Sequence, residues 1–64
     1  MSMAWVAVDK KGWEYIYIYK PYRDNVCGYD IWMTDDESVE LPKGSIKKLI
    51  GRELTWNDEP VELK

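Results

Sequence analysis

The side chains able to do chemistry in this chain are aromatic rings, lysines and carboxylates, with no histidine anywhere and one thiol, Cys27. Four rings, Trp13, Tyr15, Tyr17 and Tyr19, recur at every second position. On an extended strand that spacing puts them on one face, with Ile16 and Ile18 on the other. A sheet face of this kind can stack unpaired nucleic-acid bases, each worth about 1–3 kcal/mol, or cover the apolar surface of another protein. Stacking of bases also requires cations along the strand's path. Lys11, Lys20 and Arg23, with Lys10, sit at the ends of the aromatic run and form a candidate basic rim. Trp32 is a candidate anchor of the same surface, and the alternative role for all these rings is to build the core of a protein without Phe.

The remaining reactive groups point to bland roles. Without His, the usual general base at neutral pH and the usual metal ligand are missing, and Cys27 has no second Cys to pair with and no group to activate it. Asp30, Asp35, Asp36 and Glu37 lack the oxygen spacing and central glycine of a calcium loop, so they read as a solvated acidic turn. Gly44-Ser45 opens a helical segment without a glycine-rich phosphate loop and reads as a cap. No metal or cofactor is expected, and an enzyme would have to work with carboxylates alone in a chain too short for a deep pocket.

Composition bounds the rest. Sixty-four residues make one domain, 1–64, of a size that buries about 60% of the unfolded chain's surface. With 45% hydrophobic residues, four Trp and five Tyr, it can fold without a disulfide or metal staple. The lone cysteine, and the lack of a secretory leader or an apolar run long enough to span a membrane, make the cytoplasm the expected location with no membrane partner. A net charge of −3 is too small to draw the chain to nucleic acid or lipid by its bulk field. The charge is nonetheless segregated: 43–52 carry Lys43, Lys47, Lys48 and Arg52 without an acid, while 30–40 and 53–62 hold nine of the twelve acids without a base. A basic helix beside acidic loops would neutralise itself in this way.

The elements that must position these groups follow from local patterns. Residues 1–3 are read as a disordered start region outside the fold. Residues 4–9 form a short β-branched strand, and Asp9-Lys10-Lys11-Gly12 has the Asp and Gly of a type I turn followed by a left-handed residue, predicting a hairpin to a strand over 13–20 that ends at Pro21. Residues 21–28 read as a turn-rich connection. A third strand is predicted over 29–34, with Ile31 and Met33 on one side and Asp30 and Trp32 on the other, followed by the acidic turn and a short extended piece at 39–41. Residues 45–50 are the one helix: Ser45 caps it, Ile46, Leu49 and Ile50 share a face, and Gly51 ends it. Two turns cannot stand alone, so that face is expected to dock on Ile16 and Ile18. A short strand at 54–56, a turn at 57–60 and an edge strand at 61–63 complete an α+β, mainly β fold. It is expected as a small antiparallel sheet of four or five strands, open or rolled into an open barrel, with one short helix near 45–50.

The ends of the chain carry a resemblance. Trp5-Val6-Ala7, Asp9 and Gly12, then Lys20-Pro21, then Leu54-Thr55-Trp56-Asn57-Asp58-Glu59-Pro60-Val61-Glu62 resemble the W-V-A-x-D-x-x-G, K-P and L-T-W-x-D-E-P-V-E pattern of short uncharacterised proteins encoded by phages, prophages and gut bacteria. The resemblance covers both termini and little of the middle. It implies a setting, a small intracellular accessory protein of phage type, and no activity or ligand.

The leading expectation is a non-enzymatic protein-interaction module, of host-directed or anti-defence type in a phage setting, using Trp13, Tyr15, Tyr17, Tyr19 and Trp32 and an exposed sheet edge. The alternative is a single-stranded nucleic-acid binder using the same tyrosines with Lys11, Lys20 and Arg23. A homodimer pairing tyrosine faces or sheet edges also fits a strand apolar on both sides.

Overall fold

The structure, a computed structural model, describes residues 4–23 and 31–63. The start region, most of the 21–28 connection, Cys27 and the Tyr29 and Asp30 positions of the expected third strand lie outside the described residues. The elements in chain order are β1 (Ala4–Val8), β2 (Glu14–Tyr17), β3 (Tyr22–Arg23), β4 (Trp32–Met33), β5 (Ser38–Leu41), α1 (Ser45–Ile50) and β6 (Val61–Leu63). Four strands form an antiparallel sheet in the order β5-β2-β1-β6, and β3 pairs with β4 in a separate two-stranded sheet. The fold is α+β and mainly β, as the sequence predicts, and among the described residues the sheets do not close into a barrel.

The β1–β2 hairpin forms where Asp9 and Gly12 predict it. Asp9 Oδ1 accepts hydrogen bonds from the Lys11 and Trp13 N–H groups, both at 2.9 Å, and the Gly12 N–H donates to the Asp9 carbonyl at 3.0 Å. Gly12 takes φ 92°, a left-handed angle that a side chain would strain. Regular pairing then covers only Glu14–Tyr17 of the expected 13–20 strand. Trp13 belongs to the turn and residues 18–19 bend away, so Ile18 is exposed and the helix docks without it.

Register divides the sheet into two faces. Val6 opposes Ile16 and Val61, while Ala7 opposes Tyr15 and Trp5 opposes Tyr17. The first set packs under α1: Val6, Val8, Ile46 and Leu54 form a buried cluster, with Ile16, Leu41, Ile50, Val61 and Leu63 around it. The second set is covered by the β3–β4 pair: Ala7, Tyr17 and Trp32 are buried together, flanked by Trp5, Tyr15 and Trp56. A strand apolar on both faces is therefore a strand covered on both faces.

Several local expectations give way to longer-range contacts. Tyr22 and Arg23, expected in a loop, pair as β3 with Met33 and Trp32. Ser45 does not cap the helix; its hydroxyl donates to the Pro42 carbonyl at 2.6 Å, and Gly44 in a left-handed conformation occupies the N-cap. Leu49 is exposed, so the docking face is Ile46 and Ile50. Gly51 does end the helix, at φ 83° with its N–H on the Lys47 carbonyl at 2.8 Å. Leu54, Thr55 and Trp56 are not a strand. Asp58 Oδ2 accepts from the Thr55 N–H at 2.8 Å and its hydroxyl at 3.2 Å, closing a side-chain turn over 55–58. A strand would put positions 54 and 56 on one side; this turn sends Leu54 to the helix-side core and Trp56 to the aromatic core. The 61–63 edge strand forms as predicted, on β1.

Candidate functional site

The aromatic run does not stand as one free surface. Tyr17 is only 4% exposed, whereas Trp13 at 51% and Tyr19 at 64% lie at the two ends of β2. Tyr15 is half-buried, its ring centroid 6.2 Å from that of Tyr17. Trp32 is buried, and its indole N–H donates to the Val8 carbonyl at 2.8 Å, tying β4 to the sheet. Burial is the first cause that raises the Tyr17 phenol from 10.0 to about 12, with the Tyr15 phenol and Asp9 adding to it; burial, Glu40 and Asp9 raise Tyr15. In the unfolded chain Tyr17 ionises near its ordinary value, so the proton it retains in the fold supports stability fully below pH about 10. That support is lost as pH rises from about 10 through about 12. The contribution of Tyr17 is accordingly expected to be constant with pH below about 10 and to fall through that window. Replacing Tyr17 with Phe should flatten the fall, and urea midpoints taken at a series of alkaline pH values would measure both; an unchanged slope in the variant would refute the assignment.

The basic rim disperses. Lys11 is exposed in the hairpin turn, and Lys20 is at the far end with Nζ 5.6 Å from the Trp5 ring centroid. Arg23 has a structural position that local sequence reading misses. Its guanidinium lies between two indoles, 4.2 Å from the Trp32 ring centroid and 4.3 Å from that of Trp56, and one nitrogen donates to the Trp56 and Asp58 carbonyls. The two indoles meet edge to face at 5.4 Å. Arg23 thus holds the β3–β4 pair against the 55–58 turn.

Glu14 is a second residue that sequence reading passes over. Its carboxylate accepts from the Gly44 N–H at 2.7 Å and the Ile46 N–H at 2.8 Å, filling the N-terminus of α1 from across the fold. Its only signal in the sequence is an acid inside an otherwise apolar strand. A groove of about 760 Å³ runs between this helix start, the hairpin turn and the 53–57 segment, with Val8, Ile46, Leu54 and Trp56 as its apolar lining. Two of its carboxylates, Asp9 and Glu14, already accept backbone N–H groups, so the groove offers no pair of unengaged acids between them.

Among the described residues, the edge formed by β5 has no strand partner. The Asp9 N–H donates to the Trp13 carbonyl, and the Asp9 carbonyl accepts from Gly12, so the peptide groups of Asp9 face β2. Alternation along each strand carries this outward through the strand registers: Ala7 and Trp5 also face β2, Tyr15 and Tyr17 face β1, Glu14 and Ile16 face β5, and Leu41 and Val39 face β2. The N–H and C=O groups of Ser38 and Glu40 consequently point away from the sheet, where β5 has no strand neighbour among the described residues. Beside them Val39 is 59% exposed on the helix side. The strand runs from an acidic end, Asp35, Asp36 and Glu37, to a basic one at Lys43. The opposite edge, β6, is shorter and follows Pro60.

A short sheet with a docked helix, whose β5 edge has no strand neighbour among the described residues, defines a small β-rich domain. No family model matches the chain, and no curated protein or solved structure matches it either. Among the described residues no helix is long and apolar enough to cross a membrane.

Proposed function

We propose that this chain is a non-enzymatic, cytoplasmic protein-interaction module that engages another protein by adding one of its extended segments to the open edge of β5. The observation that carries this reading is the pair of outward-facing peptide units at Ser38 and Glu40 beside the exposed Val39. Strand addition draws affinity from main-chain hydrogen bonds and selectivity from alternate side chains. The resemblance of the chain's ends extends the proposal to a phage-type accessory protein acting on a host or anti-defence target. Single-stranded nucleic acid is the weaker reading, since the central ring of the aromatic run is buried and Arg23 is engaged by two indoles and two carbonyls.

The edge can be blocked without touching the inner ladder. Proline at position 40 deletes an outward N–H only, which edge strands tolerate. A protein captured by the wild-type chain is expected to be lost on Glu40→Pro and to resist moderate salt, while fluorescence anisotropy with single-stranded oligonucleotides shows no binding. Capture that ignores Glu40→Pro, or oligonucleotide binding that weakens steeply with salt, would refute the reading.

A further inference from the structure

The partner that the β5 edge fits on its own geometry is a second copy of the same edge, and we infer that the chain forms a two-fold dimer by antiparallel β5–β5 pairing centred on Val39. This rests on the strand-addition reading above: the edge that would add a partner's segment is the edge that self-pairs in its absence, so the partner's segment and the second copy compete for it. Two observations lead to it.

The first is charge order along the strand. β5 leaves an acidic turn, Asp35 to Glu37, and runs toward Lys43, with Lys47 and Lys48 on the helix beyond. Antiparallel self-pairing lays the acidic end of one copy along the basic end of the other, twice over. Parallel pairing would set acid against acid.

The second is register. Only Ser38 and Glu40 present outward peptide groups, so hydrogen-bonded pairs across the new interface must join even-numbered residues to even-numbered residues. Centring the two-fold on Glu40 puts two glutamates directly opposite; centring it on Ser38 puts Glu40 opposite Asp36 of the second copy. Like charges directly opposed on a sheet are destabilising. Centring on Val39 avoids both. Ser38 then exchanges hydrogen bonds with the second copy's Glu40, and the reverse. The two valines meet as a non-hydrogen-bonded pair, the closer of the two antiparallel spacings at about 4.5 Å between Cα atoms. The exposed Val39 is thereby covered by its own symmetry mate. Asp35, which takes a hydrogen bond from the Tyr22 hydroxyl at 3.4 Å, lies in the bend before β5, at the end that meets the second copy's Lys43 end.

Sedimentation equilibrium of the full chain tests the dimer, and disulfide trapping tests its register. Wild type is expected to be a dimer, and both Glu40→Pro and Val39→Lys folded monomers by circular dichroism. In a Cys27→Ser background, Val39→Cys should oxidise to a covalent dimer, since about 4.5 Å lies within the Cα range of disulfides. Glu40→Cys in the same background should remain uncrosslinked. A monomeric wild type overturns the inference, as does a dimer that survives Val39→Lys, or trapping through position 40 instead of 39. If Glu40→Pro fails to fold, Val39→Lys decides, because its side chain is already exposed. Failure here is separable from failure of the broader reading: a monomeric wild type whose captured protein is still lost on Glu40→Pro ends the self-pairing and leaves the interaction module standing.

Discussion

Replacing Arg23 with Ala should destabilise the protein by about 3 kcal/mol, from the combined loss of two indole contacts and of charge-assisted hydrogen bonds to part-buried carbonyls. A domain of this length holds roughly 3–10 kcal/mol in total, so the loss takes about a third of it or more. The reason is geometric. The guanidinium is planar and fills the gap between Trp32 and Trp56 while its edge reaches the Trp56 and Asp58 carbonyls. Lysine retains the charge but cannot stack flat or fork, and Arg23→Lys should recover well under half of the loss. Urea denaturation followed by tryptophan fluorescence measures both, with Lys11→Ala as an exposed control expected within about 0.5 kcal/mol of wild type. An Arg23→Ala protein as stable as that control would show that the indole sandwich does not hold β3 and β4 in place.

The second large effect belongs to Glu14. Removing its carboxylate in Glu14→Ala leaves the Gly44 and Ile46 N–H groups without their acceptor and is expected to cost about 2 kcal/mol. The glutamine variant should recover little, because its single oxygen serves one N–H while its NH₂ group faces the other. The damage should be local before it is global: α1 is six residues long and has no acid in its own first turn, so it depends on this distant cap and on the burial of Ile46. Hydrogen exchange should therefore show α1 amides losing protection by more than those of β1. Uniform loss across sheet and helix, or none, would remove Glu14 from this role.

These two residues mark where local reading stopped. Asp9 and Gly12 were sufficient to place the first turn because the hydrogen bonds that make it lie within five residues, and Gly51 ends the helix by its own backbone freedom. The alternation from Glu14 to Tyr17 separates the two faces correctly, since side-chain direction along a strand is a local property. The same alternation overextends the strand to position 20, because nothing in residues 18–19 signals that pairing partners have run out. Ser45 looks like the cap by type and position, yet a carboxylate from β2 takes that site, and Thr55 with Asp58 converts a strand-like triplet into a turn.

Local patterns along the chain suffice for the mainly β class, the first hairpin, the helix with its stop, and the two apolar faces of β2. Contacts between distant segments set what covers them: α1 over Val6 and Ile16, the β3–β4 pair over Ala7 and Tyr17, Arg23 between indoles from β4 and the 55–58 turn, and β5 on β2 with no strand on its other side among the described residues. The physical reason is range. Turns, caps and alternation are set by neighbours a few bonds away, whereas burial and edge exposure depend on which distant segments pair in which register.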